Sequence, residues 1–255
     1  MKLLFSEYKS DYSNYIFPYA IWAMPEKEER PALFFEKGFL PSSYDLNRYY
    51  MCRHIRVNLA DFEASSENRR VMRKGEGISF HLLSGEDFDL TKDRAVFCKR
   101  YADLKFGEEV MSIEKLQTLF SSPVCSHVLV FTDEATSKEL GFIVLHIDQN
   151  DAAFYYYAFY DLDYPNKSLG MYMMTATVAL MQEKEITHIY LGSCYSKNAL
   201  YKTQFKGCEF WNGFRWAENL NELKYLIKRD GQAVQKHLLE TEDFINQFYQ
   251  GGFEK

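Results

Sequence analysis

The chain has no C-x-x-C pair, no long apolar run, no internal repeat and no low-complexity tract. Each absence removes a class of protein. Its five cysteines, Cys52, Cys98, Cys125, Cys194 and Cys208, are odd in number and scattered, which speaks against a disulfide framework or a zinc ribbon and fits a reducing cytoplasm. No apolar stretch approaches the ~20 residues of a membrane helix, and the run in MKLLF is too short for a signal peptide. Positive charge is not in excess either: 30 Lys and Arg face 36 Asp and Glu, a net of −6. That total does not announce a nucleic-acid binder, although a local patch can hide inside it. The expectation is a soluble, cytoplasmic protein with no membrane partner.

Aromatic residues are plentiful, with 19 Tyr and 21 Phe. They make either a bulky core or a ring-lined site. Residues up to about 60 hold four of the six prolines and read as irregular apart from a strand in RHIRVNL. SSENRRVMRK reads as a helix capped by Ser65 or Ser66. Thr91 caps a second helix, with Val96, Phe97, Tyr101 and Leu104 on or near one face. Ser112 caps a third, which stops before Pro123. HVLVF, LGFIVLHI and AAFYYYAFY then read as three consecutive antiparallel strands. A helix from about Gly170 to Lys184 follows, then a strand THIYLGS, a short helix KNALYKTQF, a strand CEFWNGFRW, a helix NELKYLIKRD and a polar tail. This is the element order of the GNAT acyltransferase fold, an α+β fold with a mixed, mainly antiparallel sheet flanked by helices. The expected division is an N-terminal subdomain with a basic helix (1–90), a transferase domain (91–220) and a C-terminal helix and tail (221–255).

Local phrases extend this likeness. AFYDLDYPNKSLGMY resembles the segment of arginyl- and leucyl-tRNA–protein transferases in which an aromatic strand ends in D-P-D and leads into S-x-G-T-Y. HIYLGSCYSKNALYKTQFKGCEF, CRHIRVNLADFEASSENRRVMRK and FCKRYADLKF with LFSSP are similar to three further motifs of that family, in the family's order. The resemblance implies transfer of an amino acid from aminoacyl-tRNA to the N-terminal amine of an acceptor protein or peptide. The chain departs from the pattern in three places. Tyr49 replaces the partner of Cys52 in the family's cysteine cluster, which leaves no four-ligand metal site and no cofactor. Leu104-Lys105 replaces R-H, and Asp161-Leu162-Asp163 replaces D-P-D while keeping both carboxylates.

Aminolysis of an ester needs a deprotonated amine, a place for the oxyanion, a proton for the leaving oxygen and tight positioning. Asp161 and Asp163 close a strand and point to one side if it stays extended, where they could hold and deprotonate the acceptor's ammonium. Alternatively they cap the turn before Pro165. Tyr201 matches the GNAT tyrosine that protonates the leaving group, with Lys202 supplying positive charge, or it is a core tyrosine beside a surface lysine. Ser168 and Gly170 open a helix whose N–H groups favour phosphate. Tyr157, Tyr172 and Tyr195 are further candidate substrate contacts. The acetyl-CoA version of the helix entrance, R/Q-x-x-G-x-G/A, here reads Lys167, Gly170, Tyr172, and a tyrosine at the last place would crowd a pyrophosphate. Arg69, Arg70, Arg73 and Lys74, in a segment with seven cations against three carboxylates, form a candidate ridge for tRNA phosphates, or a solvated helix face. An acyl-CoA-dependent N-acyltransferase and a non-catalytic binding module on the same fold are the alternatives.

Overall fold

The proline-rich N-terminal segment, expected to be irregular, is built. A computed structural model, which describes residues 1–165, 168–233 and 236–250, places there β1 (Lys2–Glu7), β2 (Tyr19–Met24), α1 (Pro31–Glu36), β3 (Phe39–Pro41) and β4 (Tyr49–Met51), with the strands ordered β1-β2-β4-β3. The prolines fall where they cost little. Pro31 starts α1, where an N–H would have no intrahelical partner, and Pro41 ends β3. α1 buries Phe34 and Phe35 completely, and Phe34 stacks on Tyr49 at 4.2 Å; each ring contributes about 1.5–3 kcal/mol. Gly38 then turns the chain with φ of 85° against the indole of Trp211.

Beyond it the chain forms β5 (His54–Asn58), α2 (Ser66–Arg73), β6 (Ile78–Ser84), α3 (Lys92–Phe106), α4 (Ile113–Phe120), β7 (His127–Asp133), β8 (Glu139–Asp148), β9 (Ala152–Tyr160), α5 (Leu169–Glu183), β10 (His188–Ser193), β11 (Cys208–Trp211), β12 (Trp216–Ala217), α6 (Leu220–Asp230) and α7 (Glu242–Phe248). Among the described residues, eight strands make one sheet in the order β12-β11-β5-β10-β9-β8-β7-β6, and only the β9–β10 pair is parallel. This is the expected α+β arrangement. Alternate residues of β8 feed opposite faces. Ile143 and Leu145 join a core with Val71 of α2, Met173 of α5 and Leu223 of α6, whereas Phe142 and Val144 join one with Cys98 of α3 and Leu116 of α4.

Ser65, Thr91 and Ser112 cap their helices as read, and Ser65 closes a capping box with Asn68. Several other readings change. β6 forms in a stretch without an expected element. β5 and β6 both lie before residue 90 yet belong to the large sheet, so the sheet crosses the expected boundary at 90. α3 turns Ala95, Cys98, Tyr101 and Ala102 inward and leaves Val96 and Leu104 exposed. KNALYKTQF yields a 3-10 helix, Lys197–Thr203, and CEFWNGFRW a hairpin of β11 and β12. The polar tail carries α7, docked through fully buried Phe244 and through Tyr249, whose hydroxyl donates to Glu222 at 2.7 Å.

The site depends on how β9 and β10 part. They pair only from Ala152–His188 to Phe154–Tyr190, after which β10 runs along β5 and β9 stays with β8. Each strand carries a bulge just past the fork. Tyr156 is the extra residue of β9 opposite Val144 and Leu145, and Leu191 is the extra residue of β10 opposite Arg56 and Ile55. A bulge breaks the two-residue alternation and sharpens the local twist, so the strands diverge into a wedge-shaped cleft.

Candidate active site

The cleft encloses about 1020 Å³ between β9 and β10, enough for more than one small ligand. Because of the bulge, three consecutive tyrosines of β9 (Tyr155, Tyr156 and Tyr157) line it, together with Tyr160. Tyr50 of β4, Tyr101 of α3, Tyr164 of the loop after β9, and Tyr201 complete a wall of eight phenols. Charged lining groups are few: Lys105, Asp161 and Lys202.

Asp161 is in this wall, but β9 ends at Tyr160 and the chain turns, so Asp163 is not. The extended geometry expected for the pair is therefore wrong. Asp161 Oδ2 meets Lys138 Nζ at 2.7 Å and Oδ1 accepts the Asp163 N–H at 2.9 Å, whereas Asp163 bridges outward to Arg100 at 2.6 Å. Burial pushes the Asp161 carboxyl up, but the Lys138 ammonium, the Asp163 N–H and Arg100 together hold it below its ordinary value. Asp161 is thus a fixed anion and a weak proton acceptor. A carboxylate lowered on folding adds stability that is complete above its unfolded value near pH 4 and is lost as pH falls through the folded one. Replacing Lys138 with methionine should lower the urea midpoint at pH 6 and leave it unchanged near pH 2.

Tyr201 and Lys202 enter from the 3-10 helix. Burial, with smaller contributions from Tyr160 and Cys194, raises the Tyr201 phenol above its usual value and keeps it protonated. Lys202 Nζ donates to the Ser193 carbonyl at 2.9 Å. At the α5 entrance Ser168, Gly170 and Met171 line the cleft, and Lys74 Nζ donates to Ser168 Oγ at 2.9 Å. A Cβ on Gly170 would lie 2.7 Å from the Tyr160 ring, so the glycine admits that ring to the wall. Lys167 lies outside the described residues. Tyr157 faces the cleft with its ring stacked on Phe159 at 5.3 Å.

Two expected contacts lie elsewhere. Tyr172 is buried, donates to the Ile78 carbonyl at 3.1 Å, and covers Gly75, where a Cβ would be 2.0 Å from its ring. It points into the core and crowds nothing at the helix entrance, so the steric objection to coenzyme A falls. Tyr195 is not in the wall. Its hydroxyl accepts the Arg53 N–H at 2.7 Å and its ring lies under the Arg53 guanidinium at 4.6 Å. On α2, Arg70 pairs with Glu67 and Arg69 donates to the Ala64 carbonyl, while Arg73 is exposed; Lys74 alone of the four touches a cleft residue. Tyr50, Tyr101, Lys105, Tyr156 and Lys138 were not foreseen. The run of three tyrosines was the available signal, since regular alternation cannot put all three in one site.

A family profile described as arginine-tRNA-protein transferase, C terminus, matches residues 95–212, the interval that contains α3, β9, the α5 entrance and Tyr201-Lys202. Through these residues the chain is similar to that family. The chain is also similar to aspartate/glutamate leucyltransferases of Cereibacter sphaeroides (strain ATCC 17029), 26% identical over 176 residues covering 66% of this chain and 62% of the relative, and of Ruegeria pomeroyi, 26% identical over 171 residues covering 65% and 61%. The chain thus spans less than two thirds of the length of these two relatives. Among solved structures it is similar to L-PGS from Bacillus licheniformis, with TM-score 0.47 and 13% identity over 80% of this chain and 70% of that one. Another is the C-terminal domain of a lysylphosphatidylglycerol synthetase from Agrobacterium fabrum, with TM-score 0.44 and 15% identity over 56% and 46%. Unlike the pattern expected of the transferase family, Cys52 here is a lone, buried thiol pushed up to about 12 by burial. Among the described residues no cluster of His, Cys, Asp or Glu could hold a metal ion, and no helix is long and apolar enough to cross a membrane.

Proposed function

We propose that the chain transfers an amino acid from aminoacyl-tRNA to the N-terminal amine of an acceptor protein or peptide in the cytoplasm. The observation that carries this reading is the tyrosine-walled cleft, which holds Tyr201 and draws most of its lining from the stretch similar to the transferase family. The aminoacyl ester enters between β9 and β10. Tyr201 protonates the leaving ribose oxygen, and Tyr157 packs against the substrate. The first N–H groups of α5, free of intrahelical partners, receive a terminal phosphate beside Ser168, Gly170 and Lys74. Arg69, Arg70 and Arg73 continue the positive surface for the tRNA body. Asp161 binds the acceptor's ammonium as a fixed anion, and Asp163 acts from outside by holding the loop to α3 through Arg100.

Labelled aminoacyl-tRNAs offered with peptides of varied N-terminal residue test this directly. Label should pass to the peptide, with charged-tRNA binding that weakens steeply as salt rises. No transfer across a full panel of tRNAs and acceptors would refute it. Because Tyr172 faces the core, an acyl-CoA donor is the second reading; saturable binding of acetyl-CoA by calorimetry, together with acetyl transfer, would establish it instead.

A further inference from the structure

The acceptor amine arrives at neutral pH as an ammonium ion, and nothing so far assigned can take its proton. Asp161 is committed to Lys138, Asp163 is outside the wall, and Tyr201 is needed in its protonated form. We infer that Lys202 is the proton acceptor of the reaction, acting as a neutral amine. This inference rests on the transfer activity proposed above and gives Lys202 a task distinct from supplying positive charge.

The geometry supports it. Lys202 lines the cleft beside Tyr201, with its Nζ 6.0 Å from the centre of that ring. Nζ has a single protein hydrogen bond, to the Ser193 carbonyl, and no carboxylate within ion-pair distance among the described residues. The Ser193 carbonyl follows Gly192, whose φ of 85° belongs to the left-handed region, and a Cβ there would sit 3.5 Å from Nζ. The titratable groups around Lys202 are Cys194 after β10, Cys52 ahead of β5, His54 in β5, and Tyr201 on its own helix. None of them is anionic at neutral pH. Burial pushes the thiols of Cys52 and Cys194 up, and desolvation pulls His54 down to about 3. With no anion to hold its proton, Lys202 is drawn by burial below the ordinary lysine value. A half-buried amine lowered in this way is a competent base.

The protons balance. One ammonium proton passes to Lys202 Nζ and from there to water. The freed amine attacks the ester carbonyl carbon, forming the C–N bond as the C–O bond to ribose breaks. Tyr201 gives its proton to the ribose oxygen and regains one from the attacking nitrogen, and the third proton remains on the new amide.

The test is the pH profile of kcat/KM for wild type, Lys202→Arg and Lys202→Ala, assayed with charged tRNA and an acceptor peptide after their melting curves are matched. Arginine keeps the positive charge but cannot accept a proton near neutrality. The expected result is a loss of about 10²-fold or more in both variants, KM for charged tRNA unchanged in Lys202→Arg, and partial recovery of Lys202→Ala by added methylamine in proportion to its neutral form. A Lys202→Arg variant within threefold of wild type, with the same pH profile, would overturn the inference and leave the transfer activity standing. A wild-type chain that transfers nothing would overturn both. If Lys202→Arg melts early, the amine rescue of Lys202→Ala decides alone, and its absence in a folded protein counts against the inference.

Discussion

Phenylalanine at position 201 should lower kcat for aminoacyl transfer by about 10²–10⁴-fold, the usual contribution of a positioned proton donor, with KM for charged tRNA within a factor of about three. The substitution removes one oxygen and keeps the ring in the wall. Among the described residues that hydroxyl makes no protein hydrogen bond, and the side chain is about half exposed. Folding should therefore be indifferent to it, and the urea midpoint should match wild type. A rate loss without a stability loss is what a proton donor predicts, because the raised phenol is fully protonated where the reaction runs. Using an ester with a better leaving group should narrow the gap, since a good leaving oxygen needs less protonation. A phenylalanine variant with undiminished kcat would assign the proton to another group and remove Tyr201 from the chemistry.

The largest stability effect is expected at Gly38. Alanine there meets two independent obstacles. The backbone holds φ at 85°, and the new Cβ would lie 2.2 Å from the Trp211 ring. A side chain in a sparsely populated backbone region costs about 1–3 kcal/mol, and overpacking adds about 1–3 kcal/mol. Gly107→Ala provides the control, because its φ is 103° but nothing lies within 4 Å of the added atom. Urea denaturation should show Gly38→Ala losing distinctly more than Gly107→Ala, with the excess attributable to the indole. Equal losses would mean that Trp211 moves aside freely and that the seam between the N-terminal strands and β11 is loosely packed.

What the sequence disclosed was mostly local. Ser65, Thr91 and Ser112 mark helix starts because a hydroxyl three residues before a free N–H is a short-range event. The three strands from His127 to Tyr160 are legible because their apolar runs outweigh any alternative. The misread residues depend on longer-range placement. Whether Tyr172 looks at the cleft or the core is fixed by the rotation of α5 against Gly75 and Ile78, almost a hundred residues earlier. Asp161 and Asp163 separate because the strand ends at Tyr160, just before Asp161, and Lys138 and Arg100 then draw them to different places. Val96 and Leu104 look like core residues of α3 until that helix settles on Ala95, Cys98 and Ala102, small side chains that allow close approach to the sheet. The proline-rich start hid a sheet because prolines at a first helical turn or a strand end do not prevent structure.

Tyr156 has a genetic consequence. An in-frame loss of its codon would shorten β9 by one residue and let Tyr155 and Tyr157 fall into unbroken register with Leu145 and Val144. The two rings would then project to opposite faces, and the fork with β10 would lose one of the irregularities that hold it open. Both cores could survive such a change, since the buried residues before the bulge keep their partners. The cleft would not. A lineage could thus lose this pocket in a single deletion, and regain it by a single insertion, while the rest of the protein stayed folded.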